Sequence, residues 1–99
     1  SLKNVDVLIA PCVIDFPHYV DDSIHYGPMD NLRGTSFQKF TVPFDYNRYP
    51  TLTLPCGISS SGMPVGLQII GHPMTESIIC ALGVAYETST QWSSAHPNI

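Results

Sequence analysis

The sequence carries little charge, and most of what it carries is acidic. Charged residues make up 12% of the chain, with four Lys and Arg against eight Asp and Glu, for a net charge of −4. A protein that binds nucleic acid through its phosphates needs a basic surface, which this composition does not supply. We therefore expect no nucleic-acid partner.

Long apolar runs and paired cysteines are also missing. No stretch approaches the roughly 20 apolar residues of a membrane span, and the first residues lack the apolar core of a secretory signal. Cys12, Cys56 and Cys80 form neither a Cys-x-x-Cys pair nor an even set, and the sequence contains no Asn-x-Ser/Thr site. We expect an intracellular, cytoplasmic protein without a membrane partner.

The length and the composition limit the chain to a single unit. Its 99 residues can form at most one domain, and a hydrophobic content of 43% is typical of a globular chain. The chain opens on Ser1 instead of Met, and a strand-like run follows at once, as it would in a piece cut from a longer protein. We treat residues 1–99 as one segment.

The first half alternates between one clear strand and irregular sequence. The run "VDVLIAP" predicts a strand over Val5–Ile9 that is buried on both faces, as in parallel sheets. Residues 12–36 show no sustained period and are predicted to form a long irregular loop that wraps a surface or covers a site. Apolar residues at helical spacing predict a short helix over 42–48, which Pro50 ends.

The second half predicts a hairpin and a helix. Strands are expected over 51–57 and 65–71, joined by the turn-forming residues of "ISSSGMP". A helix over 75–90 is expected to begin at Thr75, the N-cap, and to contain Gly83, which permits close packing. Its predicted packing stripe consists of Ile78, Ile79, Leu82, Ala85 and Tyr86.

These elements predict an α/β fold with a partial mixed sheet of about three strands flanked by helices. The long connection between the first two strands favours a parallel crossover, whereas the short loop before the third strand favours an antiparallel pair.

No catalytic set assembles from the residues. Ser59, Ser60 and Ser61 are interpreted as a polar turn, because no histidine lies near them in sequence to act as a base. Cys56 is interpreted as a buried small hydrophobe. The pair Asp21 and Asp22 is interpreted as a solvated loop pair.

Two further sets of polar residues have structural interpretations. The histidines at positions 18, 25, 72 and 96 lack ligand spacing, so neither a metal nor a cofactor is expected. Gln68 lies on a buried strand and is predicted to hydrogen-bond strands or loops to one another.

Most of the chain resembles the C-terminal end of amidase signature enzymes. The resemblance is carried by "DVLIAP", by "FTVPFDYNRYPTLTLPCGISSSGMPVGLQIIG" and by "HPMTESIICALGVAYETSTQW", and it breaks down only across residues 12–36. It implies a serine amidohydrolase that cleaves carboxamides through an acyl-enzyme. The family's two serines and its lysine lie upstream of the matched region, and Lys39 stands in a different context. The resemblance therefore assigns no catalytic residue here, and the isolated chain is expected to be inactive.

The resemblance does imply a wall of the acyl pocket. In the family the short helix before the "P-x-L-x-L-P" strand faces the acyl-binding cavity, which here implies Phe40, Thr41, Phe44 and Arg48, the last three at i, i+3 and i+7. Asp45 replaces the usual Asn, and Arg48 replaces a small residue, often Gly. Gln38 stands where subunits that feed aminoacyl-tRNA tend to be acidic, which favours a general amidase that acts on a small amide.

Three hypotheses follow. The chain is the inactive C-terminal scaffold and pocket segment of an amidase, or an independent small α/β module that binds a ligand or partner without catalysis, or a self-sufficient hydrolase using Cys56 or the serine loop. Under the first hypothesis, an exposed strand edge and uncovered apolar surface predict that the isolated chain self-associates as a dimer.

Overall fold

A computed structural model describes residues 3–14 and 39–96 of the chain, and this part forms a three-stranded sheet with two helices. The α/β class predicted from the sequence is confirmed. Most of the predicted loop at 12–36 lies outside the described residues. In chain order the elements are β1 (Val7–Pro11), α1 (Val42–Asn47), β2 (Thr51–Ile58), β3 (Pro64–Gly71), α2 (Glu76–Ser89) and a 3-10 helix at Trp92–Ser94.

The strand order is β1-β3-β2, with β3 in the middle. β1 pairs with β3 antiparallel, Val7 opposite Gly71, and β2 pairs with β3 antiparallel, Thr51 opposite Ile70. The predicted mixed sheet is wrong, because β1 and β2 do not pair with each other. The two strands run in the same direction, but β3 separates them, so this sheet of described residues is antiparallel and not mixed.

Prolines lie where the strands can tolerate them. Proline cannot donate to a ladder and is confined to outer strands, first residues and bulges. Pro11 and Pro55 belong to outer strands of this sheet, and Pro64 is the first residue of β3. The pairing of β2 also shifts register at Cys56, which forms a bulge.

The serine cluster forms the turn between β2 and β3. The Ser59 amide donates to the Met63 carbonyl at 2.8 Å, and the Gly62 amide donates to the Ser59 carbonyl at 2.9 Å. The Ser59 Oγ accepts from the Met63 amide at 3.1 Å and lies 2.8 Å from the Ser61 Oγ. Gly62 has φ 82°, a left-handed conformation that suits glycine. The turn predicted from the sequence is confirmed.

Helix α2 packs on one face of the sheet around a small core. The core consists of Leu54, Ile69 and Ile79, and its partly buried neighbours are Val7, Leu52, Leu67 and Tyr86. The Tyr86 hydroxyl also donates to the Pro55 carbonyl at 3.1 Å. None of the helices in the described ranges has the length and apolar character needed to cross a membrane.

The packing stripe predicted for α2 is only half right. The helix meets the sheet through Ile79, Gly83 and Tyr86, whereas Ile78 and Leu82 are 46% and 37% exposed. Both sets follow helical spacing, so apolarity could not choose between them. The prediction that β1 is buried on both faces is wrong for the described structure, because none of its residues is buried and Ile9 is 61% exposed.

Two glycines let α2 approach the strands closely. A Cβ at Gly83 would collide with the Leu52 side chain. A Cβ at Gly71 would lie 2.7 Å from the Thr75 Oγ1 and 2.9 Å from the Ile79 Cγ2. The predicted role of Gly83 in close packing is confirmed, and the two glycines fix the distance between helix and sheet.

Helix α1 ends in a Schellman motif centred on Arg48. Arg48 has φ 58° and ψ 36°, the left-handed conformation. The Arg48 amide donates to the Asp45 carbonyl at 3.2 Å, and the Tyr49 amide donates to the Phe44 carbonyl at 3.0 Å. Glycine is the preferred residue at this position, because it has no Cβ to clash in the left-handed region. The small residue that the family resemblance expects at this position therefore has a backbone reason.

We predict that Arg48→Gly stabilises the chain by about 0.5 kcal/mol. The left-handed conformation costs a non-glycine residue about 1–2 kcal/mol, and the greater freedom of unfolded glycine offsets roughly 0.5–1 kcal/mol of that gain. Urea unfolding of Arg48→Gly beside Arg48→Ala measures this, because only the glycine variant relieves the backbone. Equal stabilities for the two variants would contradict the backbone account.

Candidate functional site

Gln68 is the buried polar side chain at the centre of the sheet. It lies on β3 and is 2% exposed. Its Nε2 donates to the Phe40 carbonyl at 2.6 Å and to the Pro11 carbonyl at 3.0 Å. One amide group therefore holds the end of β1 and the start of the segment that leads into α1. The role predicted for Gln68, a tie between strands and loops, is confirmed.

The segment around α1 is attached to β3 at both ends. At its start the Phe40 carbonyl accepts from Gln68, and at its end the Pro50 carbonyl accepts from the Gly71 amide at 3.0 Å. Between these two attachments, α1 contains no buried residue. These two hydrogen bonds therefore help to fix its position against β3.

Three of the four residues expected in the pocket wall lie together at the start of α1. Phe40, Thr41 and Phe44 are each partly buried. Thr41 occupies the N-cap position, and its carbonyl accepts from the Phe44 and Asp45 amides, each at 3.1 Å. Pro43 falls in the first turn, where a missing N–H costs little.

Arg48 differs from the other three. The helix ends at Asn47, so the i+7 spacing that placed Arg48 on the same helical face does not apply. Its side chain is exposed, and its backbone forms the Schellman motif. The family resemblance expects a small residue, often Gly, at this position. That expectation is the sequence signal for a left-handed helix end.

The serine turn lies too far from His72 for this histidine to activate its hydroxyls. His72 follows the end of β3, whereas the serine turn precedes its start, so about 26 Å separates them at roughly 3.3 Å per residue. The His72 Nε2 lies 2.9 Å from the Val5 carbonyl, to which it can donate. Cys56, half-buried in the β2 bulge, also lies toward the serine end.

Cys12 is held in its protonated form. Burial raises the pKa of its thiol, the hydrogen bond with Thr53 opposes that shift, and the nearby Cys56 adds to it. The Cys12 sulfur lies 3.8 Å from the Thr53 Oγ1. Because the thiolate is the reactive form, this environment makes Cys12 a poor nucleophile.

The described ranges contain no cluster of three or more His, Cys, Asp or Glu side chains that could hold a metal ion. His18, His25, Asp21 and Asp22 lie outside those ranges.

A groove of about 570 Å³ follows α2, away from the predicted pocket wall. It is lined by Ser89, Thr90, Gln91, Trp92, Ser94 and Ala95, none of them charged.

Comparison with known proteins identifies the family. The Amidase family profile matches residues 1–80. The chain is 48% identical over 97 residues to the A subunit of the glutamyl-tRNA(Gln) amidotransferase of Thermodesulfovibrio yellowstonii, covering 98% of this chain and 19% of that protein. It is 41% identical over 99 residues to the protein of the same name from Acaryochloris marina, covering all of this chain and 20% of that protein.

The chain thus spans about one fifth of the length of the curated relatives it matches. No solved structure matches it. Because the profile match extends over residues 1–80 of the 99, the chain belongs to the Amidase family.

Proposed function

We propose that this chain is the C-terminal scaffold and acyl-pocket segment of a longer amidase that hydrolyses carboxamides through a serine acyl-enzyme. The observation that carries the proposal is the family match over residues 1–80. The reacting serine pair and lysine would come from sequence outside these 99 residues. The chain would contribute Phe40, Thr41 and Phe44 to the wall that meets the acyl group.

The geometry of α1 supports a pocket wall at this place. A partly buried phenylalanine at position 44 can present its ring to a neighbouring cavity, whereas a fully buried ring could not. The segment that contains the helix is hydrogen-bonded to the central strand β3 at both of its ends. Such attachments would keep a pocket wall at a fixed distance from the sheet. Arg48 would border the pocket as a charged rim residue.

A second candidate is that the amide is glutamine and that the enzyme is an A subunit of a glutamyl-tRNA(Gln) amidotransferase. The 48% identity to a protein of that name favours it. Gln38, which stands where such subunits tend to be acidic, counts against it. Under this second candidate the chain would work within a larger assembly with other subunits.

One assay separates the two candidates. The full-length enzyme would be incubated with glutamine or with an uncharged carboxamide of similar size, and ammonia release would be measured. Release from the uncharged amide supports the general amidase, and release confined to glutamine supports the amidotransferase. If a folded enzyme that contains the upstream serines and lysine releases ammonia from neither compound, the result contradicts both candidates.

We predict that Phe44→Ala in the full-length enzyme changes the ratio of kcat/KM between two amides that differ in acyl group by about tenfold. A missing pocket group costs about 1–3 kcal/mol in discrimination. Tyr46→Ala is the matched control, because Tyr46 lies on the same helix and is 87% exposed.

The thermal midpoint decides between a pocket residue and a core residue. Loss of a core phenylalanine would destabilise the enzyme by about 3–5 kcal/mol. An unchanged ratio accompanied by such a loss would show that Phe44 belongs to the core of the full-length enzyme and not to its pocket.

The isolated 99-residue chain is predicted to be inactive and to self-associate. Without the serine pair and the lysine, it should not release ammonia or react with a fluorophosphonate probe that labels the full-length enzyme.

Exposed apolar residues such as Ile9, Ile78 and Leu82 favour a dimer that covers them. Light scattering at micromolar concentration measures the mass. A monodisperse monomer would favour the independent binding module, and stoichiometric serine labelling would favour a self-sufficient hydrolase.

A further inference from the structure

The amide of Gln68 joins three parts of the chain that are far apart in sequence. It projects from the central strand, and its partners are Pro11, 57 residues away, and Phe40, 28 residues away. The shorter of the two bonds, 2.6 Å, is the one to Phe40. Phe40 directly precedes Thr41, the N-cap of the helix proposed to line the acyl pocket.

The Gln68 amide has no spare donor. A side-chain amide nitrogen offers two donors, and both are used on main-chain carbonyls here. Removing the donors would leave two acceptors facing a buried side chain, an arrangement that proteins avoid. The chain would then move Phe40 away from β3 or admit water. The attachment at Pro50 is made by the main chain of β3 and would remain.

We propose that Gln68 is a positioning residue for the acyl pocket: its amide fixes the Phe40 carbonyl and so sets where Thr41 and Phe44 stand relative to the substrate. This inference rests on the proposed function, because it assigns a specificity role to a residue behind the proposed wall. Gln68 touches no substrate in this account. It acts only through the main chain at Phe40.

The test uses the full-length enzyme with Gln68→Met, which keeps the length of the side chain but has no donor. The second variant is Gln68→Asn, which keeps an amide but is one methylene too short to reach both carbonyls. Gly83→Ala is the matched control, because its Cβ loosens the contact of α2 with Leu52 on the helix-facing side of the sheet without touching Phe40.

Two quantities are measured for each variant. The first is the ratio of kcat/KM for two amides that differ in acyl group, and the second is hydrogen exchange of the Phe44, Asp45 and Tyr49 amides. Small displacements of positioning groups have large kinetic effects, so we expect Gln68→Met to change the ratio by about tenfold. We expect these α1 amides to exchange faster than in the wild type, with Gln68→Asn between the two and Gly83→Ala unchanged in both quantities.

The outcomes separate this inference from the proposed function. An unchanged ratio and unchanged exchange at α1 in both Gln68 variants would overturn the positioning role, even with amidase activity intact. The same shift in Gly83→Ala would also overturn it, because general loosening would then suffice. A wild-type enzyme that cleaves no amide would instead remove the proposed function, and faster α1 exchange in Gln68→Met would then reduce Gln68 to a structural tie.

Discussion

The double pairing of β3 is the constraint on which the described structure depends. Both edges of this strand are occupied, by β1 on one side and β2 on the other. One of its faces carries Ile69, which packs beneath α2, and the opposite face carries Gln68, which reaches the segment before α1. The strand thus contacts β1, β2, α2 and the segment before α1. Ile69, Ile70, Gln68 and Gly71 are all buried, as such a role requires.

The sequence predicts the local elements well because local rules determine them. The serine turn, the two strands of the hairpin and α1 to within one residue all follow from turn chemistry and short-range periodicity. The strand order cannot be predicted from these local rules. A long connection can lead to the neighbouring strand position or to the one beyond it, and here it passes the position of β3. Proline placement carried a usable signal: beyond its first residue β3 contains no proline, so it could be central.

The packing face of α2 does not follow from apolarity alone. Helix α2 has two apolar stripes, and the choice of the stripe through Ile79 depends on Gly83, whose lack of a side chain admits Leu52. The sequence predicts that Gln68 ties elements together, but its partners depend on where β1 ends and α1 begins. Helical spacing extends to Arg48 only if α1 does, and α1 ends at Asn47. The left-handed backbone at Arg48 ends the helix, so the i+7 spacing does not place its side chain on the face of Thr41 and Phe44.

The central position of β3 also sets an order of events during synthesis. β1 ends at Pro11 and its pairing partner begins at Pro64, so residues 12–63 must be made before β1 can join the sheet. At about 5–20 residues per second, these 52 residues take roughly 3–10 s. β2 and β3 are separated by a five-residue turn at 59–63 and can pair as soon as both emerge. Through that interval β1 cannot pair with β3, so the side chains that β3 and α2 later cover stay exposed on that account.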